Sequence, residues 1–248
     1  MRKYQAILFD LFDTLVDLKV ERLPLVQIGG KERPSTAEVI YQAVQEYYAH
    51  VGPEEFFQAL MDTSLRIDRL RDESHREILA QERFRLVLEH VGIASPPAAV
   101  VERLVTVHMD QMFQAMEFPP ARRRVLEILK PAYRLGIVSN FDHPPTVYRL
   151  LRHYQLDPFF DTVMISGVVG WRKPQKEIFC QALNALGMLP QQALFVGDTP
   201  SADIVGSKRA GMDVVWLNHS EGRLDFALPQ PDYIIQELEQ LPSILTAE

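Results

Sequence analysis

The stretch Ala6-Ile7-Leu8-Phe9-Asp10-Leu11-Phe12-Asp13-Thr14-Leu15 decides how the rest of the chain is read. Four apolar residues in a row, without polar alternation, are the pattern of a strand covered on both faces, as in a parallel sheet. The run ends on a carboxylate, Asp10, with a hydroxyl at Thr14 four residues on. Open α/β sheets bind ligands outside the carboxyl ends of their strands, so Asp10 stands where such folds do chemistry. A carboxylate there is a candidate nucleophile, able to form an ester or acyl-phosphate intermediate.

The same texture returns further along. Short apolar strands are expected at 136–138, 162–165, 193–196, 214–217 and 233–235, with helical segments between most of them. Alternating strand and helix implies a parallel sheet with helices on both faces.

Between the first two strands the pattern changes to helix after helix, from about 35 to 116. Ser35-x-x-Glu38 reads as a capping box ahead of Ile40, Ala43, Val44, Tyr47 and Val51. Gly52-Pro53 opens a second helix with Phe57, Leu60, Ser64 and Ile67 on one face. Ser74-x-x-Glu77 reads as the cap of a third, which carries Ile78, Phe84, Val87, Leu88 and Val91 and stops at Gly92. Pro96-Pro97 opens a fourth, with His108 on its apolar face. The expected architecture is therefore α/β, a Rossmann-like parallel-sheet core at 1–16 and 118–248, with an inserted helical bundle at 17–117. The segment 19–34, with Gly29-Gly30, reads as a loop or small hairpin at the hinge.

Composition narrows the partners. A formal net charge of -7 argues against nucleic acid and against anionic membrane surfaces. The basic run Arg122-Arg123-Arg124 reads as a solvated helix face opposite Val125, Leu126 and Leu129. A single cysteine, Cys180, rules out an internal disulfide and fits a reducing compartment. No apolar stretch reaches the ~18 residues of a membrane span. The N-terminus does not read as a signal peptide, so a cytoplasmic location is expected.

Four strand ends deliver polar groups suited to phosphoryl chemistry. The first carries Asp10. The second carries Ser139 and Asn140, a hydroxyl and an amide able to bind an oxyanion. After the third comes Gly170-Trp171-Arg172-Lys173-Pro174, with Lys173 ahead of a helix begun by Pro174. The fourth carries Asp198, followed by Asp203. Taken singly, Asp198 and Asp203 also fit a turn and a helix cap. Asp13 reads as a turn residue, His143 is a candidate to reach substrate, and the seven histidines lack metal-ligand spacing.

The order of these groups, with the phrases Val138-Ser139-Asn140, Arg172-Lys173-Pro174 and Val196-Gly197-Asp198, resembles the haloacid dehalogenase (HAD) superfamily. The helical block resembles that family's C1-type cap, which closes over the site and selects the substrate. The resemblance implies a nucleophile at Asp10, a donor at Ser139, fixed positive charge at Lys173, and substrate contacts from Thr14 and Asn140. It implies Mg²⁺ held by Asp10, Asp198 and the backbone carbonyl of Phe12, with Asp203 in support or acting through water. The implied partner is a small phosphorylated molecule, with no nucleic acid and no membrane.

One position departs from the family's phosphatase pattern. Phe12 stands where those enzymes carry a second Asp, which protonates the leaving group and then activates water. General acid–base catalysis is worth roughly 10²–10⁴ in rate, so a phosphatase with Phe12 is expected to be slow on poor leaving groups. Two other readings stay open. Dehalogenases of the superfamily carry an aromatic residue at this position but lack the acidic fourth motif. A non-catalytic protein binding Mg²⁺ and a phosphorylated ligand would also keep the remaining residues.

Overall fold

The computed structural model describes residues 3–28, 31–219 and 222–246. The chain opens with β1 (Ala6–Phe9), then short β2 (Asp17–Leu18) and the antiparallel pair β3 (Leu25–Ile28) and β4 (Lys31–Pro34). Helices α1 (Ala37–Gln45), α2 (Pro53–Ser74), α3 (Ala80–His90) and α4 (Ala98–Gln114) follow, closed by β5 (Met116–Glu117). The chain continues through α5 (Pro120–Leu129), β6 (Arg134–Ser139), α6 (Pro144–His153), β7 (Thr162–Ile165) and the single turn α7 (Ser166–Val169). It ends with α8 (Lys176–Leu186), β8 (Ala193–Gly197), α9 (Val205–Arg209), β9 (Asp213–Leu217), β10 (Tyr233–Ile235) and α10 (Leu241–Thr246).

The chain divides into two compact units, Met1–Asp17 with Phe118–Glu248, and Leu18–Glu117. The first holds a six-stranded sheet in the order β10-β9-β8-β1-β6-β7, with every neighbouring pair parallel. β1 lies in its middle, between β6 and β8, which explains its unbroken apolar run: all four residues are buried. Helix α8 lays Ile178, Phe179, Ala182, Leu183 and Leu186 into the same core as Leu8, Phe195 and Val214. Gly136 lets β1 and β7 crowd β6, because a Cβ there would meet the Leu8 side chain at 2.5 Å and Thr162 at 2.7 Å.

The helical unit packs α1 against α4, and α3 against both α2 and α4. His108 of α4 sits in this bundle, its Nδ1 2.8 Å from the Thr36 hydroxyl and its ring edge-on to Phe84.

Several expectations need correction. Segment 19–34 contains the β3–β4 pair, although Gly29-Gly30 lie outside the described residues. Helix α1 ends at Gln45, which leaves Tyr47 exposed, and no capping box forms there; Ser35 Oγ instead accepts from the Ala37 N–H. Ser74 closes α2 rather than capping α3: its hydroxyl donates to the Leu70 carbonyl, and His75 turns left-handed at φ 52. The buried face of α2 is Phe56, Ala59, Thr63 and Ile67, one residue out of phase with the expected stripe for the first three. Pro174 lies two residues before α8, which starts at Lys176.

The basic run is solvated only in part: Arg124 is exposed, but Arg122 and Arg123 are not. Arg122 is 8% exposed and pairs with Asp17 at 2.6 Å, while Arg123 donates to the Tyr154 carbonyl and lies over Phe118 and Phe159. Arg122 stands three, four and seven residues before Val125, Leu126 and Leu129, so it shares their face.

Candidate active site

The carboxyl ends of β1, β6 and β8 converge in the sheet unit. Asp10 follows β1 directly, and its N–H donates to the Val196 carbonyl of β8 at 2.9 Å, which pins the nucleophile candidate to its neighbouring strand. Lys173 is 4% exposed. Its Nζ lies 2.6 Å from Asp10 Oδ1 and 2.8 Å from Asp203 Oδ1, bridging the two carboxylates.

Asn140 holds Lys173 in place. Its Nδ2 donates to the Lys173 carbonyl (3.0 Å) and its Oδ1 accepts the Lys173 N–H (2.7 Å). The Asn140 amide thus braces the Lys173 backbone. Ser139, the last residue of β6, is fully buried, and its hydroxyl has no hydrogen-bond partner among the described residues.

Gly197 makes room for the fourth strand end. A Cβ there would collide with the Asp203 carboxylate, whose Cγ would be 2.5 Å away. Asp203 is fully buried and accepts the Thr199 N–H at 2.9 Å, which closes the turn after β8 around it. Asp198 is half-buried and accepts from two hydroxyls, Thr14 Oγ1 at 3.4 Å and Thr199 Oγ1 at 3.2 Å. Thr14 therefore faces a carboxylate of the cluster. Sequence reasoning missed Thr199, although it adjoins Asp198. It also missed Trp216, whose indole N–H donates to the Asp198 carbonyl at 3.0 Å, and no local pattern signals that contact.

Asp13 takes a left-handed turn at φ 58, with its N–H bonded to the Val16 carbonyl. Among the described residues nothing donates to the Phe12 carbonyl. The Phe12 ring is half-buried and stacks on Phe141 with centroids 4.8 Å apart, so an aromatic pair occupies this side of the strand end. His143 Nδ1 lies 2.9 Å from the Thr146 hydroxyl at the start of α6.

Asp10, Asp198 and Asp203 each offer an oxygen within 4.8 Å of the others. Three carboxylates against one ammonium leave an excess of negative charge in a largely dry place. Burial pushes Asp10 up to about 6; Lys173 pulls it back down and Asp198 pushes it further up. Burial likewise pushes Asp203 up to about 6, opposed by Lys173. Burial and then Asp203 raise Asp198. Burial alone would lower Lys173, but Asp10 and Asp203 together outweigh it and hold the ammonium charged. An all-oxygen donor set with surplus negative charge fits a hard divalent cation, which prefers carboxylates, carbonyls and water. Asp10, Asp198, Asp203 and the Phe12 carbonyl are the groups that could hold it.

Comparison with known proteins identifies the family. A family model described as haloacid dehalogenase-like hydrolase matches residues 4–211. The chain is 29% identical over 250 residues to glyceraldehyde 3-phosphate phosphatase of Pyrococcus furiosus, covering 100% of this chain and 95% of that protein. It is 30% identical over 255 residues to N-acylneuraminate-9-phosphatase of Rattus norvegicus, covering 99% and 95%. Among solved structures, 2-haloacid dehalogenase from Pseudomonas syringae pv. tomato matches with a TM-score of 0.71 at 24% identity, over 98% of this chain and 99% of that one. That last likeness speaks to the fold alone. Among the described residues, no helix is long and apolar enough to cross a membrane. With the model match spanning most of its length, this chain belongs to the haloacid dehalogenase-like hydrolase family.

Proposed function

We propose that the chain is a Mg²⁺-dependent phosphohydrolase that acts on a small phosphorylated molecule through an aspartyl-phosphate on Asp10, with the helical unit as its substrate-selecting cap. The observation that carries this is the bridge of Lys173 between Asp10 and Asp203, with Asp198 in the same cluster. The phosphatase names of the relatives support the substrate class.

Asp10 attacks phosphorus in line, and the bond to the leaving oxygen breaks with its electron pair going to that oxygen. Water then hydrolyses the acyl phosphate, returning the Asp10 carboxylate and inorganic phosphate. Lys173 orients Asp10 through its 2.6 Å contact and holds positive charge beside the nucleophile. The Ser139 hydroxyl is available to donate to a phosphoryl oxygen. Asp10, Asp198 and the Phe12 carbonyl, with Asp203 behind them, would hold Mg²⁺, which would supply charge to neutralise the phosphoryl oxygens.

Phe12 cannot protonate the leaving oxygen. The enzyme is therefore expected to turn over good leaving groups, whose oxygens depart as anions, and to be slow on alkyl phosphates. The same residue favours a second reading, 2-haloacid dehalogenation, in which Asp10 displaces halide without an acid. The surplus negative charge of Asp198 and Asp203 opposes it, since an anionic haloacid would be repelled.

A panel of phosphate esters and 2-haloacids assayed with Mg²⁺ and with EDTA separates the readings. Phosphate release abolished by EDTA is expected. Halide release indifferent to EDTA would overturn the proposal in favour of dehalogenation.

A further inference from the structure

The mechanism above makes no use of the carboxyl end of β9. Its register sets Trp216 opposite Gly197, the residue before Asp198. The Trp216 side chain is almost wholly buried, and its indole N–H donates to the Asp198 carbonyl. Three residues on, His219 sits between two other backbone segments. Its Nε2 lies 2.9 Å from the Asp13 carbonyl and its Nδ1 3.1 Å from the Gln236 carbonyl. Carbonyl oxygens only accept, and a neutral imidazole carries a single N–H, so the ring donates to one of these two carbonyls in each tautomer.

A single short segment, 216–219, thus grips two separate backbones that carry the acidic cluster. One is the Asp198 turn; the other is the Phe12–Asp13 turn, which presents the Phe12 carbonyl. We propose that Trp216 and His219 are positioning residues that set the spacing of these two turns for the divalent cation. Neither touches substrate or cation; both act through backbone carbonyls. The proposal rests on the Mg²⁺ reading above.

The physical reason is the narrow tolerance of the ion. Mg²⁺ demands near-octahedral geometry at about 2.0–2.1 Å. A small drift of either turn therefore appears as lost affinity before it appears as lost fold. Phe in place of Trp216 keeps the aromatic packing and removes only the N–H.

The test is calorimetric titration of the full-length protein with MgCl₂, alongside thermal denaturation without metal. The variants are Trp216→Phe, His219→Ala and Val214→Ala, the last a buried β9 residue whose side chain cannot form hydrogen bonds. From the usual net value of one hydrogen bond, Trp216→Phe is expected to raise the Mg²⁺ Kd about three- to tenfold. His219→Ala, being exposed, is expected to raise it about two- to threefold. Val214→Ala is expected to lower Tm and leave Kd unchanged. A Kd unchanged in Trp216→Phe, or raised as much by Val214→Ala, overturns the proposal. If Trp216→Phe fails to fold, an unchanged Kd in His219→Ala overturns it. Absence of Mg²⁺ binding by the wild-type protein would instead overturn the metal reading, and this proposal with it.

Discussion

The sheet unit and the helical unit treat charge in opposite ways. In the sheet unit Asp10, Lys173 and Asp203 are all buried and converge on one point. In the helical unit charge stays at the surface, as in the Arg103–Glu46 and Arg85–Glu82 pairs. One exception among the described residues is Arg71 with Glu77, a largely buried pair at 2.9 Å; Arg71 also donates to the Ile78 carbonyl and so ties down the link between α2 and α3. That pair closes a loop. The sheet cluster leaves surplus negative charge, which is costly unless a cation or substrate compensates it. The difference separates charge kept for structure from charge kept for chemistry, and it can be broken at several points.

The largest effect is expected at Lys173. Lys173→Met should reduce kcat by about 10²–10³, the scale of losing one preorganised electrostatic partner. It should also cost about 3 kcal/mol of stability, because two buried carboxylates lose their counter-charge. A variant retaining wild-type kcat would remove Lys173 from the chemistry.

Phe12→Asp should sharpen the account. It restores a proton donor, so turnover of alkyl phosphates should rise about 10- to 100-fold more than that of p-nitrophenyl phosphate. Equal gains on both would contradict the explanation of Phe12.

The raised carboxylates make a pH prediction for metal-free protein. Asp203 titrates near 6 when folded and near its ordinary 3.8 when unfolded. Its contribution is fully favourable below about 4 and is lost as pH rises through 6. Asp203→Asn removes this loss, so its Tm should exceed wild type at pH 7.5 and match it near pH 3.8. An advantage that grows toward low pH would have the wrong sign.

The smallest effect belongs to the helical unit. Thr36→Val breaks the contact with His108 and should cost about 1 kcal/mol, or roughly 2–4 °C in Tm. Mg²⁺ affinity should not change; a large change would undo the contrast between the units.

The two units also differed in how legible they were. Strands 6–9, 162–165 and 233–235 match the structure residue for residue, and the other sheet strands agree to within two residues at either end. Strands buried on both faces leave unbroken apolar runs bounded by polar or glycine residues, which is a strong local signal. The helical unit was harder because its signals are ambiguous locally. Phe56-Phe57 and Ala59-Leu60 offer two stripes one residue apart, and packing of small Ala59 and Thr63 against neighbouring helices selects between them. Ser74-x-x-Glu77 fits a cap, but the same serine bonds back to Leu70 in the preceding helix.

Within the site, Asp10, Lys173, Asp198 and Asp203 could be read as a set because each follows a strand in the expected order. The supporting contacts could not. Asn140 with Lys173, Trp216 with Asp198 and His219 with Asp13 join residues 18 to 206 positions apart, and no local pattern encodes them.

The central claim is that Asp10 carries the phosphoryl group. The most direct measurement is acid quench of the enzyme turning over a substrate with radiolabelled phosphate, followed by borohydride reduction and peptide sequencing. An aspartyl-phosphate retains label at position 10 before reduction and yields homoserine there afterwards, with both signals absent in Asp10→Asn and in EDTA. Steady phosphate release without label or homoserine at position 10 would contradict the account.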